Sequence, residues 1–114
     1  STLRGPIVVL SDDVPDEIRA KRRVIFVKGD PTKDSDLQRA GIASAKTAMI
    51  LATDFCDPQT SDSRALMTAL AVEGVNPRVY TVVEIVNPDN ARHFAHAHVD
   101  EIICCTDLGA KIAV

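Results

Sequence analysis

Short runs of β-branched and apolar residues alternate with helical segments along almost the whole chain. The apolar runs cover residues 6–10, 24–28, 48–52, 78–84 and 101–105. Helical patterns cover residues 14–20, 34–42, 65–72 and 88–97, and another is expected to begin at 107. Continuous apolar runs of this length are typical of strands buried on both faces of a parallel sheet. The alternation therefore predicts an α/β fold in which a five-stranded parallel sheet lies between two helical layers.

The middle helix has the clearest pattern. Its apolar residues recur at helical spacing, and Gly74 is expected to end the helix. These residues are Ala65, Leu66, Ala69, Leu70 and Val72. We expect Leu66, Met67 and Leu70 to belong to the core rather than to an interface between subunits.

Length and composition exclude several classes of protein. A chain of 114 residues with 46% hydrophobic residues suits one domain spanning residues 1–114. A net charge of -3 argues against nucleic-acid binding, and no apolar run approaches the roughly 20 residues that span a bilayer. Three cysteines, two of them adjacent, indicate a reducing compartment, so we expect a cytoplasmic domain.

Acidic residues follow the first two predicted strands. Asp12 and Asp13 follow the first strand, and Asp30 follows the second. The carboxyl ends of parallel strands form the ligand-binding edge of such a sheet, where a carboxylate can accept hydrogen bonds from ribose hydroxyls. Asp12 or Asp13 is predicted to take that role. The alternatives are that Asp12 and Asp13 cap the next helix, and that Asp30 is a turn carboxylate before Pro31.

The chain has no glycine-rich phosphate loop between its first strand and first helix. Its glycines are scattered at Gly5, Gly29, Gly41, Gly74 and Gly109. Either the chain does not bind a nucleotide through such a loop, or the strand and loop lie upstream of Ser1. No paired catalytic groups lie near the sheet edge either, which argues against an enzyme.

Several short motifs occur in a characteristic order. They are Gly29-Asp30-Pro31-Thr32, Asp36-Leu37, Ala40-Gly41-Ile42, Asp62-Ser63-Arg64-Ala65, Asn76-Pro77-Arg78-Val79, Asn87-Pro88-Asp89-Asn90 and Val99-Asp100-Glu101-Ile102-Ile103. In this order the chain resembles the RCK domain, the regulator of potassium conductance, also called the Trk-type N-terminal domain. The resemblance extends over almost the whole chain.

The resemblance implies a Rossmann-like domain that lacks the family's central first strand. The strand order would be 2-1-gap-3-4-5, and buried strand edges on both sides of the gap would lose their hydrogen bonds. The sheet could close on itself, another copy could donate a strand, or the missing unit could be a separate piece of a longer protein. Of these we expect a fragment of a longer channel subunit. It also implies a cytoplasmic, ligand-sensing regulatory domain of a potassium channel or cation-transport protein. Such a domain forms homo-oligomers of RCK domains and acts on a transmembrane pore domain.

Two ligands are compatible with this resemblance. An adenine nucleotide would use Asp12 or Asp13 for the ribose, between walls formed by Gly29-Asp30 and Ala52-Thr53. A divalent cation, calcium above all, would lie among Asp30, Asp54 and Asp57, because calcium takes several oxygen ligands. The alternative for these three residues is a solvated acidic loop.

A phosphoacceptor receiver-like signalling domain is the alternative function. Asp54 after the third strand and Thr81 in the fourth imitate the receiver layout. A receiver, however, needs a lysine just after its last strand, where this chain has Cys105-Thr106-Asp107. The regulatory channel domain is therefore the preferred interpretation.

Overall fold

A computed structural model of the protein describes residues 7–13 and 24–104. The strands are β1 (Ile7–Ser11), β2 (Val24–Lys28), β3 (Thr47–Ile50), β4 (Tyr80–Ile85) and β5 (Glu101–Cys104). The α-helices are α1 (Asp34–Arg39) and α2 (Pro58–Val75), and 3-10 turns cover Ile42–Ser44 and Pro88–Phe94. The helices predicted at 14–20 and from 107, together with Cys105, lie outside the described residues.

The parallel, Rossmann-like α/β architecture is confirmed, but its strands do not form one continuous sheet. β1 pairs with β2 in one parallel sheet, and β3, β4 and β5 form a second in that order. In the described part of the chain no strand lies between β1 and β3, which is the position expected for the missing strand. The five strands are therefore divided into two sheets.

The core lies between α2 and the three-stranded sheet. Ala65, Ala69 and Val72 line the buried side of α2, and Val83 and Ile85 of β4 are fully buried in the same cluster. Leu10 of β1 packs against this cluster, so β1 is the strand through which the smaller sheet contacts the core. Helices and strands with apolar faces associate in this way because burial removes apolar surface from water.

Two expectations for α2 were wrong. Met67 and Leu70 are 57% and 49% exposed, while only Leu66 of the three packs partly against the core. Gly74 does not end the helix, which continues to Val75. Asn76 follows, and its side-chain amide donates hydrogen bonds to the carbonyl oxygens of Ile42, Ala43 and Ala45 at 2.8, 3.3 and 3.2 Å. This clamp sets the end of the helix.

The predicted helix at 88–97 was also wrong in type, because the segment forms a 3-10 turn over Pro88–Phe94. Asp62 holds the start of this segment. Its carboxylate is 3% exposed and accepts hydrogen bonds from the backbone N–H groups of Val86 and Asn87 and from Nδ2 of Asn90. These distances are 2.8, 3.0 and 2.8 Å. Asp62 thus ties the end of β4 to α2.

Candidate functional site

The turn after β2 is built around Gly29. The Gly29 N–H donates to the carbonyl oxygen of Ser11 at 3.0 Å, which extends the pairing of β1 and β2 into the turn. A Cβ atom at this position would lie 2.9 Å from side-chain atoms of Asp36 and Arg39. A side chain at this position would therefore have to displace the carboxylate of Asp36 and the guanidinium of Arg39, so glycine is favoured here.

Asp36 and Arg39 of α1 hold this turn from the other side. Asp36 Oδ2 accepts a hydrogen bond from the Asp30 N–H at 2.9 Å. Arg39 donates to the carbonyl oxygen of Lys28 at 2.7 Å and to Asp36 Oδ1 at 3.1 Å. The hydrogen bond from the Asp30 N–H, followed by that from Arg39, lowers the pKa of Asp36. The sequence does not predict that Asp36 or Arg39 belongs to the site, although Asp36-Leu37 is one of the motifs that carry the family resemblance.

The Asp30 carboxylate is organised by its own turn. Oδ1 accepts hydrogen bonds from the Thr32 hydroxyl at 2.7 Å and from the Thr32 N–H at 2.9 Å. The Thr32 hydroxyl bond is the main reason why the pKa of Asp30 is lowered, and the Thr32 N–H and the charge of Arg64 act in the same direction. Asp30 therefore does act as a turn carboxylate, which was the alternative interpretation from the sequence. It is also an ionised group at the carboxyl end of β2.

Arg64 of α2 brings the ends of the two strands of the smaller sheet together. Its guanidinium Nη2 lies 3.7 Å from Oδ1 of Asp30 and 3.8 Å from Oδ2 of Asp12. All three side chains are partly exposed, so these ion pairs are weak and can be exchanged for contacts with a ligand. Arg64 was part of a recognised motif but was not predicted to contact these carboxylates.

A pocket of about 490 Å³ opens beside this arrangement. Its polar lining consists of Asp30, Thr32, Gln59, Thr60, Ser63 and Arg64. The lining combines one guanidinium with hydroxyl, amide and carboxylate groups, which is a suitable chemistry for a polar, charged ligand.

Asp12 and Asp13 differ in their surroundings. Both are exposed, but only Asp12 faces Arg64. The backbone of Asp13 is bound to the hydroxyl of Ser11, which donates to the Asp13 carbonyl at 2.8 Å and accepts from its N–H at 3.1 Å. Of the two predicted ribose ligands, Asp12 is thus the one beside the Arg64 cluster.

Ala52 and Thr53 contribute their backbone to the strand edge. The Ala52 N–H donates to Oε1 of Glu84 at 2.9 Å, and the Thr53 N–H donates to Oγ of Ser61 at 3.0 Å. Glu84 belongs to β4 and the buried Ser61 to α2. These bonds fix the segment after β3 against its neighbours, as a rigid wall requires.

The cation site predicted at Asp30, Asp54 and Asp57 is not assembled. Over residues 7–13 and 24–104 no three acidic, histidine or cysteine residues are grouped as a metal ion requires. Oδ1 of Asp54 accepts hydrogen bonds from the N–H groups of Cys56 and Asp57. Asp57 is the N-cap residue of α2, and its Oδ1 accepts a hydrogen bond from the Thr60 N–H. These carboxylates therefore order the loop and start the helix.

The geometry defines a Rossmann-like domain with carboxylates and an arginine gathered at the carboxyl ends of its strands. Residues 3–83 match the family model of the calcium-activated potassium channel slowpoke-like RCK domain. The chain belongs to this family. In the part of the chain that the structure describes, no helix has the length and apolar character needed to cross a membrane.

Relatives with curated names are potassium channels. The chain is 27% identical to the calcium-gated potassium channel TvoK of Thermoplasma volcanium over 95% of its own length, and covers 32% of that protein. It is 31% identical to human potassium channel subfamily T member 1 over 73% of its length, covering 7% of that protein. The chain thus spans about a third or less of the curated relatives that it matches.

Solved structures confirm the fold. The structure of the human SLO3 gating ring superimposes with a TM-score of 0.79 and 23% identity, over 90% of this chain and 20% of that one. The GsuK channel bound to NAD gives a TM-score of 0.74 and 15% identity, over 90% of this chain and 18% of that one. At these identities the likeness concerns the fold alone.

Proposed function

We propose that the chain is a cytoplasmic regulatory domain of a potassium channel or related cation-transport protein, where it senses a ligand and performs no catalysis. Membership of the slowpoke-like RCK family and the names of its relatives support this assignment. The observation that carries it at the level of the site is the position of Arg64 between Asp12 and Asp30, at the carboxyl ends of two parallel strands.

The ligand that suits this edge best is an adenine nucleotide. An exposed carboxylate at the end of β1 is suited to accept hydrogen bonds from two ribose hydroxyls, and we assign this role to Asp12. Arg64 supplies a cation for an anionic group of the ligand. Gly29 and Asp30 on one side, and Ala52 and Thr53 on the other, form the walls. Solved structures of GsuK bound to NAD and to ADP support this ligand class.

The coupling to a pore follows from the position of Arg64. This residue belongs to α2, which packs against the three-stranded sheet, but it faces carboxylates on the two-stranded sheet. A nucleotide that binds both Asp12 and Arg64 replaces the ion pair between these residues with contacts to the ligand. This changes the interactions that hold the two sheets together. A ligand with different affinity for two arrangements shifts the population between them, and an attached pore domain senses the shift.

Calorimetry on the protein tests this assignment, with ADP, NAD and calcium chloride as separate titrants. We expect ADP or NAD to bind, and Asp12→Asn to weaken binding by about tenfold, or about 1.4 kcal/mol. Asp89→Asn is the matched control, because it removes the same charge from an exposed residue of the Pro88–Phe94 turn. Heat with calcium alone, or equal binding by the Asp12→Asn and control variants, would contradict the nucleotide assignment.

We also propose that the domain works as a homo-oligomer. Met67 and Leu70 are three residues apart on α2, so they lie on the same side of the helix, and both are more than 45% exposed. Exposed apolar side chains in such a cluster favour a contact between protein subunits. This surface supports assembly of the domain with copies of itself.

A further inference from the structure

The exposed residues of α2 form one stripe along the helix. From Thr60 onward they recur at intervals of three or four residues, so they lie on the side of α2 that faces away from the core. None of them is charged, whereas a helical face in contact with water normally carries charged side chains. This indicates a face that another protein surface covers. We call this surface the α2 stripe, and its residues are Gln59, Thr60, Ser63, Met67, Leu70 and Gly74.

The ligand pocket opens on the first half of the α2 stripe. Four residues of the stripe also line the pocket, namely Gln59, Thr60, Ser63 and Met67. The second half of the stripe, with Leu70 and Gly74, lies beyond the pocket. Apart from the chain neighbours of Gly74 and the helix backbone, nothing lies within 4 Å of the position that a Cβ would take there. A surface that covers the α2 stripe therefore also covers the mouth of the pocket.

The α2 stripe is complementary to a second copy of itself. Two antiparallel α2 helices, related by a two-fold axis midway between Met67 and Leu70, match residue by residue. Met67 of each copy then faces Leu70 of the other, and the exposed apolar side chains cover one another. Ser63 of each copy faces Gly74 of the other, and these small residues let the helices approach closely.

Charged residues beside the α2 stripe favour the same antiparallel arrangement. Arg64 and Glu73 are both partly exposed and lie at equal distances along the chain from the two-fold axis. Arg64 of one copy therefore faces Glu73 of the other, twice in each pair of copies. In a parallel arrangement each of these residues would face its own kind, and like charges repel one another. Charge complementarity thus supports an antiparallel pair of identical chains.

We propose that a second copy of the chain, docked along the α2 stripe, completes the ligand pocket with its Arg78. This residue is exposed and directly follows the end of α2, where its N–H donates to Oδ1 of Asn76 at 3.1 Å. Arg78 and Gln59 lie at equal distances along the chain from the two-fold axis, so Arg78 of one copy comes to Gln59 in the pocket of the other.

The guanidinium of Arg78 supplies the pocket of the other copy with a second cation, besides Arg64, for the anionic groups of a nucleotide. The identity of this ligand rests on the proposed function, whereas the pairing of the helices does not. Each pair of copies holds two equivalent pockets, and each pocket uses residues of both chains. Ligand binding and pairing are therefore linked, because each strengthens the other by the same factor.

The variant Gly74→Leu tests the pairing without any nucleotide. Within one copy the leucine finds free space, and it favours a helix over glycine, so we expect no fall in Tm. In the pair it meets Ser63 of the other copy, so we expect the dissociation constant of the pair to rise about tenfold in sedimentation equilibrium. Gln38→Leu is the matched control, because it adds a leucine at an exposed position of α1. A monomeric wild type, or equal association of the two variants, would overturn the proposal.

Mixing two variants tests whether Arg78 acts on the other copy. In calorimetry we expect Asp12→Asn and Arg78→Gln each to weaken ADP binding about tenfold, whereas Arg92→Gln, at another exposed arginine, leaves it unchanged. In an equal mixture of Asp12→Asn and Arg78→Gln, exchange of chains gives mixed pairs in which one pocket keeps both residues. About a quarter of all pockets then bind ADP with wild-type affinity. No recovery in the mixture, or wild-type affinity of Arg78→Gln alone, would overturn the proposal.

These experiments separate the proposal from the proposed function. Weaker ADP binding by Asp12→Asn but not by Arg78→Gln supports the nucleotide assignment and overturns the contribution of the second copy. A wild type that pairs along the α2 stripe but binds neither ADP nor NAD supports the pairing and contradicts the nucleotide assignment.

Discussion

Replacement of Asp62 tests how α2 is held to the end of β4. Asp62→Asn keeps the shape of the side chain but exchanges one acceptor oxygen for an NH2 group. At least one of the three hydrogen bonds from Val86, Asn87 and Asn90 is then lost, and the new NH2 group faces an N–H donor. A hydrogen bond to a charged group contributes about 1.5–3 kcal/mol, so we expect a loss of about 2–3 kcal/mol. For a domain stabilised by roughly 5–15 kcal/mol this is a large fraction.

Urea unfolding, followed by circular dichroism, measures this loss as a lower midpoint at unchanged slope. Asp57→Asn is the matched control. Asp57 is exposed, accepts one N–H at 3.3 Å, and asparagine caps helices as well as aspartate, so we expect a change below about 0.5 kcal/mol. Equal stability of Asp62→Asn and the wild type would refute the view that the buried carboxylate is the main link between α2 and the segment after β4.

Three further predictions concern the turn, the clamp and the surface of α2. The folded state lowers the pKa of Asp36 from 3.8, so its contribution to stability is complete above the unfolded pKa and is lost as the pH falls through the lower folded value. The Asp36→Asn variant should therefore be less stable than the wild type at pH 7 and as stable as the wild type at about pH 2. Thermal unfolding at both pH values measures this. A difference in Tm that is the same at both pH values would contradict a contribution from the charge of Asp36. Asn76→Asp places a carboxylate among three carbonyl oxygens and should cost about 2–4 kcal/mol by urea unfolding, whereas a cost no larger than that of Asn76→Ser would argue against the clamp. The double variant Met67→Glu and Leu70→Glu should leave Tm within a few degrees of the wild type but reduce the sedimenting mass, and an unchanged oligomer would exclude this surface as the contact.

The strands and their parallel arrangement were predictable, because each strand is marked by its own run of β-branched residues and each helical connection between strands is marked by its own pattern. The division into two sheets was not predicted, because five apolar strand runs indicate one five-stranded sheet; the family resemblance indicated only that a central strand is missing between β1 and β3. The type of the segment at 88–97 was not predictable from periodicity, because Asp62, far away in the chain, binds its first residues and fixes a tighter turn. The exposure of Met67 and Leu70 was not predictable either. Apolar residues at helical spacing do not show which side of the helix packs against another element.

The candidate site was predictable in part. Strand ends identified Asp12 and Asp30, because parallel strands bring their carboxyl ends to one edge. Arg64 lies on a helix much later in the chain, and only the packing of α2 brings it to these carboxylates. The hydrogen bonds of the three residues of the predicted cation site were not predictable from their positions in loops, because Oδ1 of Asp30, Asp54 and Asp57 each accepts a nearby backbone N–H.

Rubidium flux in lipid vesicles, measured on a potassium channel subunit that carries this domain, tests the proposed function most directly. The claim is that a nucleotide at the carboxyl ends of β1 and β2 regulates a potassium pore. We predict that ADP or NAD changes the flux, and that Asp12→Asn shifts the half-effective concentration upward by about tenfold, whereas Asp89→Asn does not. A flux that is insensitive to both nucleotides, or equally sensitive in both variants, would contradict the account.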